Sequence, residues 1–269
     1  MNRITRIALV IAGVLAVLVI ALAIFVIVTI RRPFPQTDGS LTVNGLQEPV
    51  EIIRDEYGVA HIYAQNEHDL FFAQGYAHAQ DRFWQMEFWR HIGQGRISEI
   101  VGEAGVESDK FIRTMGWNRL AENSLTYYEE NAPEFMAILE AYSAGVNAYI
   151  EEHRDELSVN LTILAMVNEP WEIEPWEPLD TISWGVVMSD DLSGNWRGEL
   201  RRARLIKALG EATVESLMPT YPYDTRPVIA PTEDLVNEFP EETAVPAPTT
   251  LINWNRVNTD IIPVQNRGN

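Results

Sequence analysis

The first thirty residues show no alternation of apolar and polar positions. From Ile7 to Ile30 the chain reads IALVIAGVLAVLVIALAIFVIVTI, 24 residues without a charge. Wound as a helix, such a run crosses roughly 30 Å of hydrocarbon with some tilt. Arg3 and Arg6 precede it, and Arg31 and Arg32 follow it. A cleaved signal peptide has an apolar region of roughly 7–15 residues closed by small side chains. This run is longer and ends in bulky Phe25, Val26 and Ile27. The pattern therefore predicts an uncleaved signal anchor over residues 1–32, since a buried core helix rarely needs so long an uncharged run. The arginines balance across the span, and only the α-amino group tips the orientation toward an N-terminus inside the cell.

Periodicity begins after a linker over residues 33–49, which opens with PFPQTDGS. Val50–Ile53 and Val59–Tyr63 are short β-like runs, and Gly58 between them suits a hairpin turn. From Glu67 the apolar spacing changes to roughly 3.6 residues and continues through Trp89, which predicts a long helix. Further helices are predicted at Arg96–Val101, Asp109–Glu129, Pro133–Glu152, Leu179–Met188 and Gly198–Leu209. Pro133 suits a first helical turn, with Asn131 as the candidate cap. The stretch Glu169–Pro178 (EPWEIEPWEP) reads as a Pro- and Trp-rich loop, and the chain turns irregular after Pro219. Residues 228–269 are acidic, Pro-rich and weakly periodic, as a spacer would be. The body, residues 50–227, is thus mainly helical with a strand pair at its start.

Charge narrows the partners. Beyond residue 32 the chain holds 16 basic and 39 acidic residues, a net −23. Such a surface repels nucleic acid and anionic lipid. With 46% apolar residues the chain has ample material for a core, so it is not an acidic disordered segment. It has no cysteine, which excludes disulfides, thiolate metal sites and a cysteine nucleophile.

Motifs for chemistry are few. None of the five histidines stands in H-E-x-x-H spacing, and no G-x-S-x-G elbow, P-loop or dinucleotide fingerprint occurs. His78 reads as a packed, hydrogen-bonded histidine within a helix. Asp190, Asp191 and Glu199 bracket a polar turn, MSDDLSGNWRGE; oxygen-rich clusters suit calcium, but this one lacks EF-hand spacing and a solvated loop is the plainer reading. Phe71, Phe72, Trp84, Phe88 and Trp89 are core first and ligand pocket second. Asp81 and Arg82 could form a buried pair or a surface pair of little worth.

Four blocks carry a resemblance. They are Ile53–Ala64 (IRDEYGVAHIYA); Asp69–Met86 (DLFFAQGYAHAQDRFWQM) with Gln94–Gly102 (QGRISEIVG); Ala141–Tyr149 (AYSAGVNAY); and Trp176–Asp180 (WEPLD) leading into Leu192–Leu205 (LSGNWRGELRRARL). In this order and spacing, across roughly Glu51 to Tyr221, the chain resembles the α-chain of penicillin acylase-type N-terminal nucleophile hydrolases. The resemblance implies an α+β fold, the mainly helical part of a four-layer αββα sandwich, here preceded by one transmembrane helix. It implies a precursor that cuts itself, and a serine opening the β-chain as nucleophile with its own α-amino group as base. The substrates implied are N-acyl compounds such as β-lactam side chains or N-acyl homoserine lactones. It also implies a structural calcium ion for which Glu199 is the one ligand on this chain, and an acyl pocket that Met188 and Leu192 help to line. No catalytic residue is expected here, because no serine follows Ser216 and neither Thr249, Thr250 nor Thr259 opens a convincing β-chain. The nucleophile is expected beyond Asn269, with the acylase domain on the outer side of the cytoplasmic membrane. The rival reading is a membrane-tethered binding or scaffold protein that kept the α-chain alone.

Overall fold

A computed structural model describes residues 3–154, 156–167, 172–193 and 196–219. The parts of the Trp-rich loop at 169–171, residues 220–227 of the expected body, the expected spacer 228–269 and the threonines at 249, 250 and 259 lie outside the described residues. The chain divides into two compact units, Met1–Ser189 and Asp190–Asn269.

Helix α1 runs from Arg3 to Arg31 and is followed by the antiparallel strands β1 (Glu51–Arg54) and β2 (Ala60–Tyr63). The hairpin pairs Glu51 with Tyr63 and Arg54 with Ala60. Its turn is closed by Asp55, whose Oδ1 accepts from the backbone N–H groups of Tyr57 and Val59, each at 2.9 Å. The hydrogen bond from Val59, with those of His61 and Tyr57, holds the Asp55 carboxyl below its ordinary pKa. A lone hairpin is barely stable in water, and this one is tied to the helical body through Arg54. The Arg54 guanidinium forks onto the Asp81 carboxylate at 2.8 and 3.0 Å and also donates to Gln80. Asp81 therefore pairs with Arg54 and not with Arg82, whose neighbour is Gln85 at 3.4 Å. A fork geometry needs a planar guanidinium, and adjacent residues on a helix do not face each other.

Helix α2 (Glu67–Gln94) is the spine of the first unit. Asn66 caps it by accepting from Asp69 N at 2.8 Å, and Gly95 ends it with left-handed backbone. The backbone departs from helical values at Arg82, beside the Arg54–Asp81 pair. Asp69, fully buried, accepts from Gln47 N and Glu48 N at 2.9 Å and from Asn66 Nδ2, so it straps residues 47–48 to the helix. Burial alone would raise its pKa; the hydrogen bonds of Gln47, Asn66, His68 and Glu48 outweigh that and hold it at about 2. A depressed carboxylate stabilises the fold above its unfolded pKa, and that contribution is lost as pH falls through the folded value. We expect Asp69→Asn to be less stable at neutral pH and to lose less further stability than the natural chain between pH 3.8 and about 2, measured by urea unfolding across that window.

After α2 come the single turn α3 (Ser98–Val101) and a 3-10 turn at Gly102–Gly105. The helix expected over Asp109–Glu129 is two: α4 (Val106–Met115) and α5 (Trp117–Asn131). Gly116 between them adopts φ 75°, a conformation an L side chain resists, and its N–H closes α4 onto Ile112. Helix α6 (Pro133–His153) begins at Pro133 as expected, but Asn131 does not cap it. That residue ends α5 and donates to Tyr127 O at 2.8 Å, while Ala132 takes the cap position without a side-chain bond. Helix α7 (Val159–Val167) was hidden in the sequence because its apolar residues lack a helical stripe. Helix α8 (Pro178–Ser193) extends past Met188, so Asp190 and Asp191 are helical residues and not part of a turn.

α2 and α6 cross closely and enclose the main cluster of Tyr76, Ala79, Phe83, Val146, Tyr149 and Ile150, with Leu157 and Trp176. Each large side chain buried there contributes roughly 1.5–3 kcal/mol. In the second unit α9 (Trp196–Leu209) and α10 (Glu211–Leu217) are joined at Gly210. Ala203 and Val214 are buried in this unit.

Candidate functional site

Helix α8 carries Met188, and α8 is held where it begins. Pro178 starts it, and Asp180 in its first turn accepts from Glu177 N at 2.8 Å. The same carboxylate accepts from Gln94 Nε2 at 2.7 Å and from Arg90 Nη1 at 3.3 Å. Burial pushes the Asp180 pKa up against the pull of Arg90. Arg90 is buried and also pairs with Glu87 one turn earlier on α2. Its guanidinium donates to the backbone carbonyls of Glu174 and Pro175 and lies over the Trp176 ring, 5.3 Å from the centroid. Trp176 is fixed in turn by Asn147 of α6, which exchanges two hydrogen bonds with its backbone at 2.6 and 2.9 Å. Nearer the surface Arg96 forks onto both Glu99 and Glu174. Those bonds raise the Arg96 pKa, and the bond from Arg96 lowers that of Glu174. The WEPLD block thus has a physical basis: it is the segment that α2 grips through one buried arginine before α8 departs.

Sequence reasoning did not find this cluster. The available signal was Glu87 and Arg90 at i, i+3 inside an aromatic-rich helix, where a charge on a buried face needs a partner. That the third member would be Asp180, ninety positions along, was not readable from spacing.

A cavity of about 240 Å³ opens beside this cluster, lined by Trp89, Trp176, Trp184, Met86, Tyr142 and His78. Trp89 and Trp184 meet with ring centroids 5.2 Å apart. Trp89 therefore belongs to a pocket wall, whereas Phe72 is core at 2% exposure. His78 is hydrogen-bonded as expected but stands exposed at the rim: its Nδ1 lies 3.0 Å from the Tyr142 hydroxyl, and desolvation of the ring lowers its pKa despite the pull of Asp81. Burial likewise pushes Tyr142 up to about 12.

The three site residues expected from the sequence are placed as follows. Met188 is half-buried on α8. Leu192, in the last turn of α8, is 77% exposed. Glu199 stands in the first turn of α9 with its side chain exposed. Asp190 accepts from Trp196 Nε1 at 3.0 Å through Oδ1, and its Oδ2 is buried with no hydrogen-bond partner among the described residues. Carboxylate oxygens are the right donors for calcium, which takes six to eight of them. Among the described residues no group of three or more acidic or histidine side chains could hold a metal ion. Glu199 could therefore contribute to such a site but not form one by itself.

Comparison with known proteins identifies the class. The penicillin amidase family profile matches residues 49–258. The acyl-homoserine lactone acylase QuiP of Pseudomonas aeruginosa is 33% identical over 193 residues, covering 72% of this chain and 22% of that protein. The penicillin acylase 2 proenzyme of Pseudomonas sp. strain SE83 is 34% identical over 169 residues, covering 62% of this chain and 21% of that protein. Among solved structures, a thermostable penicillin G acylase from Alcaligenes faecalis matches with a TM-score of 0.52 and 26% identity, over 68% of this chain and 97% of the solved chain. The chain belongs to the penicillin amidase family. It spans about a fifth of the length of the curated relatives it matches.

Proposed function

We propose that this chain is the helical, membrane-anchored part of an amidohydrolase that cleaves linear amide bonds of N-acyl compounds. Family membership supports this, and one contrast carries it. The chain covers 97% of a solved acylase chain but only 22% and 21% of two curated relatives, one of them named a proenzyme. That is the relation expected of one mature chain to a precursor that is cut. In this reading the second chain completes the αββα sandwich and brings the nucleophile, a serine at its N-terminus. The serine hydroxyl attacks the amide carbonyl while the α-amino group takes the proton. The amine leaves with that proton, and water then hydrolyses the acyl-enzyme. An α-amino group suits the task, with an unperturbed pKa of about 7.7–8.0.

The part of this chain is to shape and to hold. Met188 and Leu192 form one wall of the acyl pocket, and an apolar wall favours an apolar acyl group. Leu192, at 77% exposure, is covered once the second chain docks. Glu199 supplies one oxygen ligand to a structural calcium whose other ligands lie on that chain, and the ion ties the two chains together. Helix α1 holds the enzyme in the cytoplasmic membrane; it is long and apolar enough to span.

The test is to purify the protein, tagged on this chain, from the membranes of its own host. A co-purifying chain beginning with serine is expected, with turnover of N-acyl homoserine lactones or a phenylacetyl amide. The 269-residue chain alone should turn over neither. Turnover by the isolated chain would falsify the assignment of the nucleophile to a second chain.

A further inference from the structure

We propose that helix α7 lies in the interfacial layer of the membrane that α1 spans, giving the body a second, apolar foothold on the lipid. The inference rests on α1 being a membrane anchor, and it adds a contact that the anchor alone does not require.

The composition of α7 sets it apart. Its nine residues, VNLTILAMV, carry no charge in a chain where 22% of residues are charged. Leu161 is turned inward against the main core cluster. Ile163 and Met166, three apart and so on one face, are 52% and 62% exposed. A water-facing helix of an acidic protein would put polar residues at these positions.

Its position is fixed against the anchor. Arg32, just past the last apolar residue of α1, donates from Nε to Glu156 Oε1 at 2.7 Å, three residues before α7 begins. A cavity of about 530 Å³ is lined on one side by Ile30, Pro33 and Phe34 and on the other by Leu157, Val159 and Asn160. Ile30 and the first residues of α7 thus border one cavity. Ile30 closes the apolar run and marks the edge of the hydrocarbon. The interfacial layer beyond that edge is roughly 5–7 Å deep on each side, and interfacial helices sit about 5–10 Å into the headgroup and acyl boundary. The start of α7 therefore lies beside the end of the span, next to the layer such helices occupy. Phe34 is 65% exposed, and Trp84 lines the same cavity; aromatic rings favour this layer. Because the body is acidic and α7 neutral, the contact is with acyl chains and zwitterionic headgroups and not with lipid charge.

The chain has no cysteine, so single labels can be placed without background. Ile163→Cys, Met166→Cys, Glu130→Cys and Val19→Cys variants of the full chain, each carrying an environment-sensitive fluorophore, are reconstituted in phosphatidylcholine vesicles. Emission is then read with a quencher attached to the acyl chains, and separately with aqueous iodide. The labels at 163 and 166 should lose most of their emission to the lipid quencher and little to iodide. The label at 130, on the exposed end of α5, should do the reverse. If 163 and 166 respond to iodide as 130 does, the helix faces water and the proposal is wrong. If they are shielded from both quenchers, protein covers the face, from the chain's own body or a second copy, and the proposal is equally wrong. The label at 19 separates the two readings: lipid quenching there without quenching at 163 removes only the α7 contact, whereas none at 19 removes the anchor as well.

Discussion

Replacing Arg90 with methionine is expected to cost the body of the protein about 3–5 kcal/mol. Arg90, Glu87 and Asp180 are exposed by only 1%, 0% and 4%. Their charges were stripped of water on folding, and the guanidinium satisfies both carboxylates together with the Glu174 and Pro175 carbonyls. Methionine fills similar space but takes the guanidinium away from two buried carboxylates, which costs far more than the net worth of the intact cluster. Urea unfolding measures the loss directly, and a value under about 1 kcal/mol would show the cluster to be solvated in the natural protein. The variant should also strengthen the acid response of Asp180. Burial already pushes Asp180 up, and without Arg90 the charge that opposes that push is gone, leaving the hydrogen bond from Glu177 N against it. A carboxyl whose folded pKa exceeds its unfolded one stabilises the fold below the unfolded value, and this is lost as pH rises through the folded value. Arg90→Met should therefore gain stability on acidification from neutral pH toward the ordinary carboxylate range. The triple variant with Glu87→Gln and Asp180→Asn should recover part of the loss at pH 7, since neutral amides remove the buried charge. Because the same cluster seats the start of α8, these variants also displace the helix that carries Met188.

The second large effect is expected at the crossing of α2 and α6. A Cβ added at Gly145 would lie 1.9 Å from Phe72 O, and one at Gly75 would lie 2.1 Å from Tyr142 O. Both obstacles are backbone, so no rotamer change can make room. Gly145→Ala must force the helices apart, emptying contacts around Tyr76, Val146 and Tyr149, and should cost about 3 kcal/mol, at the upper end for overpacking. Gly185→Ala is the matched control. That glycine is also helical, but nothing lies within 4 Å of an added Cβ, so alanine there should stabilise by about 0.5–1 kcal/mol. Equal effects at the two sites in thermal or urea unfolding would refute the close crossing.

Several elements were readable because their causes are local. The 24-residue apolar run of α1, the Gly58 hairpin, the 3.6-residue spacing of α2 and the Pro133 start of α6 each follow from neighbours a few positions apart. Membership of the penicillin amidase family was readable too, because its blocks keep their order. Where local signals competed, the reading failed. Gly116 lies inside a sequence with helical spacing on both sides, and only its left-handed backbone splits α4 from α5. Asp190 and Asp191 resemble turn residues, yet α8 continues through them.

The site was divided in the same way. Leu192 and Glu199 could be singled out by their place within a motif block and Met188 by its place just before it, and their depth could not: Met188 is half-buried, and Leu192 and Glu199 are exposed on this chain. The sequence by itself determined the long apolar N-terminal helix, the helical character of the body, its acidic charge, and the absence of a local nucleophile motif. Only the tertiary structure decided that Arg54 takes Asp81, that Asp69 straps residues 47–48, that Arg90 joins Glu87 to Asp180, and that α7 sits beside the end of α1. The reason is physical. Helix and hairpin signals act over a few residues through backbone geometry, whereas buried pairs are chosen by which charges folding brings together and shuts away from water, across 27 positions in one case and 90 in another.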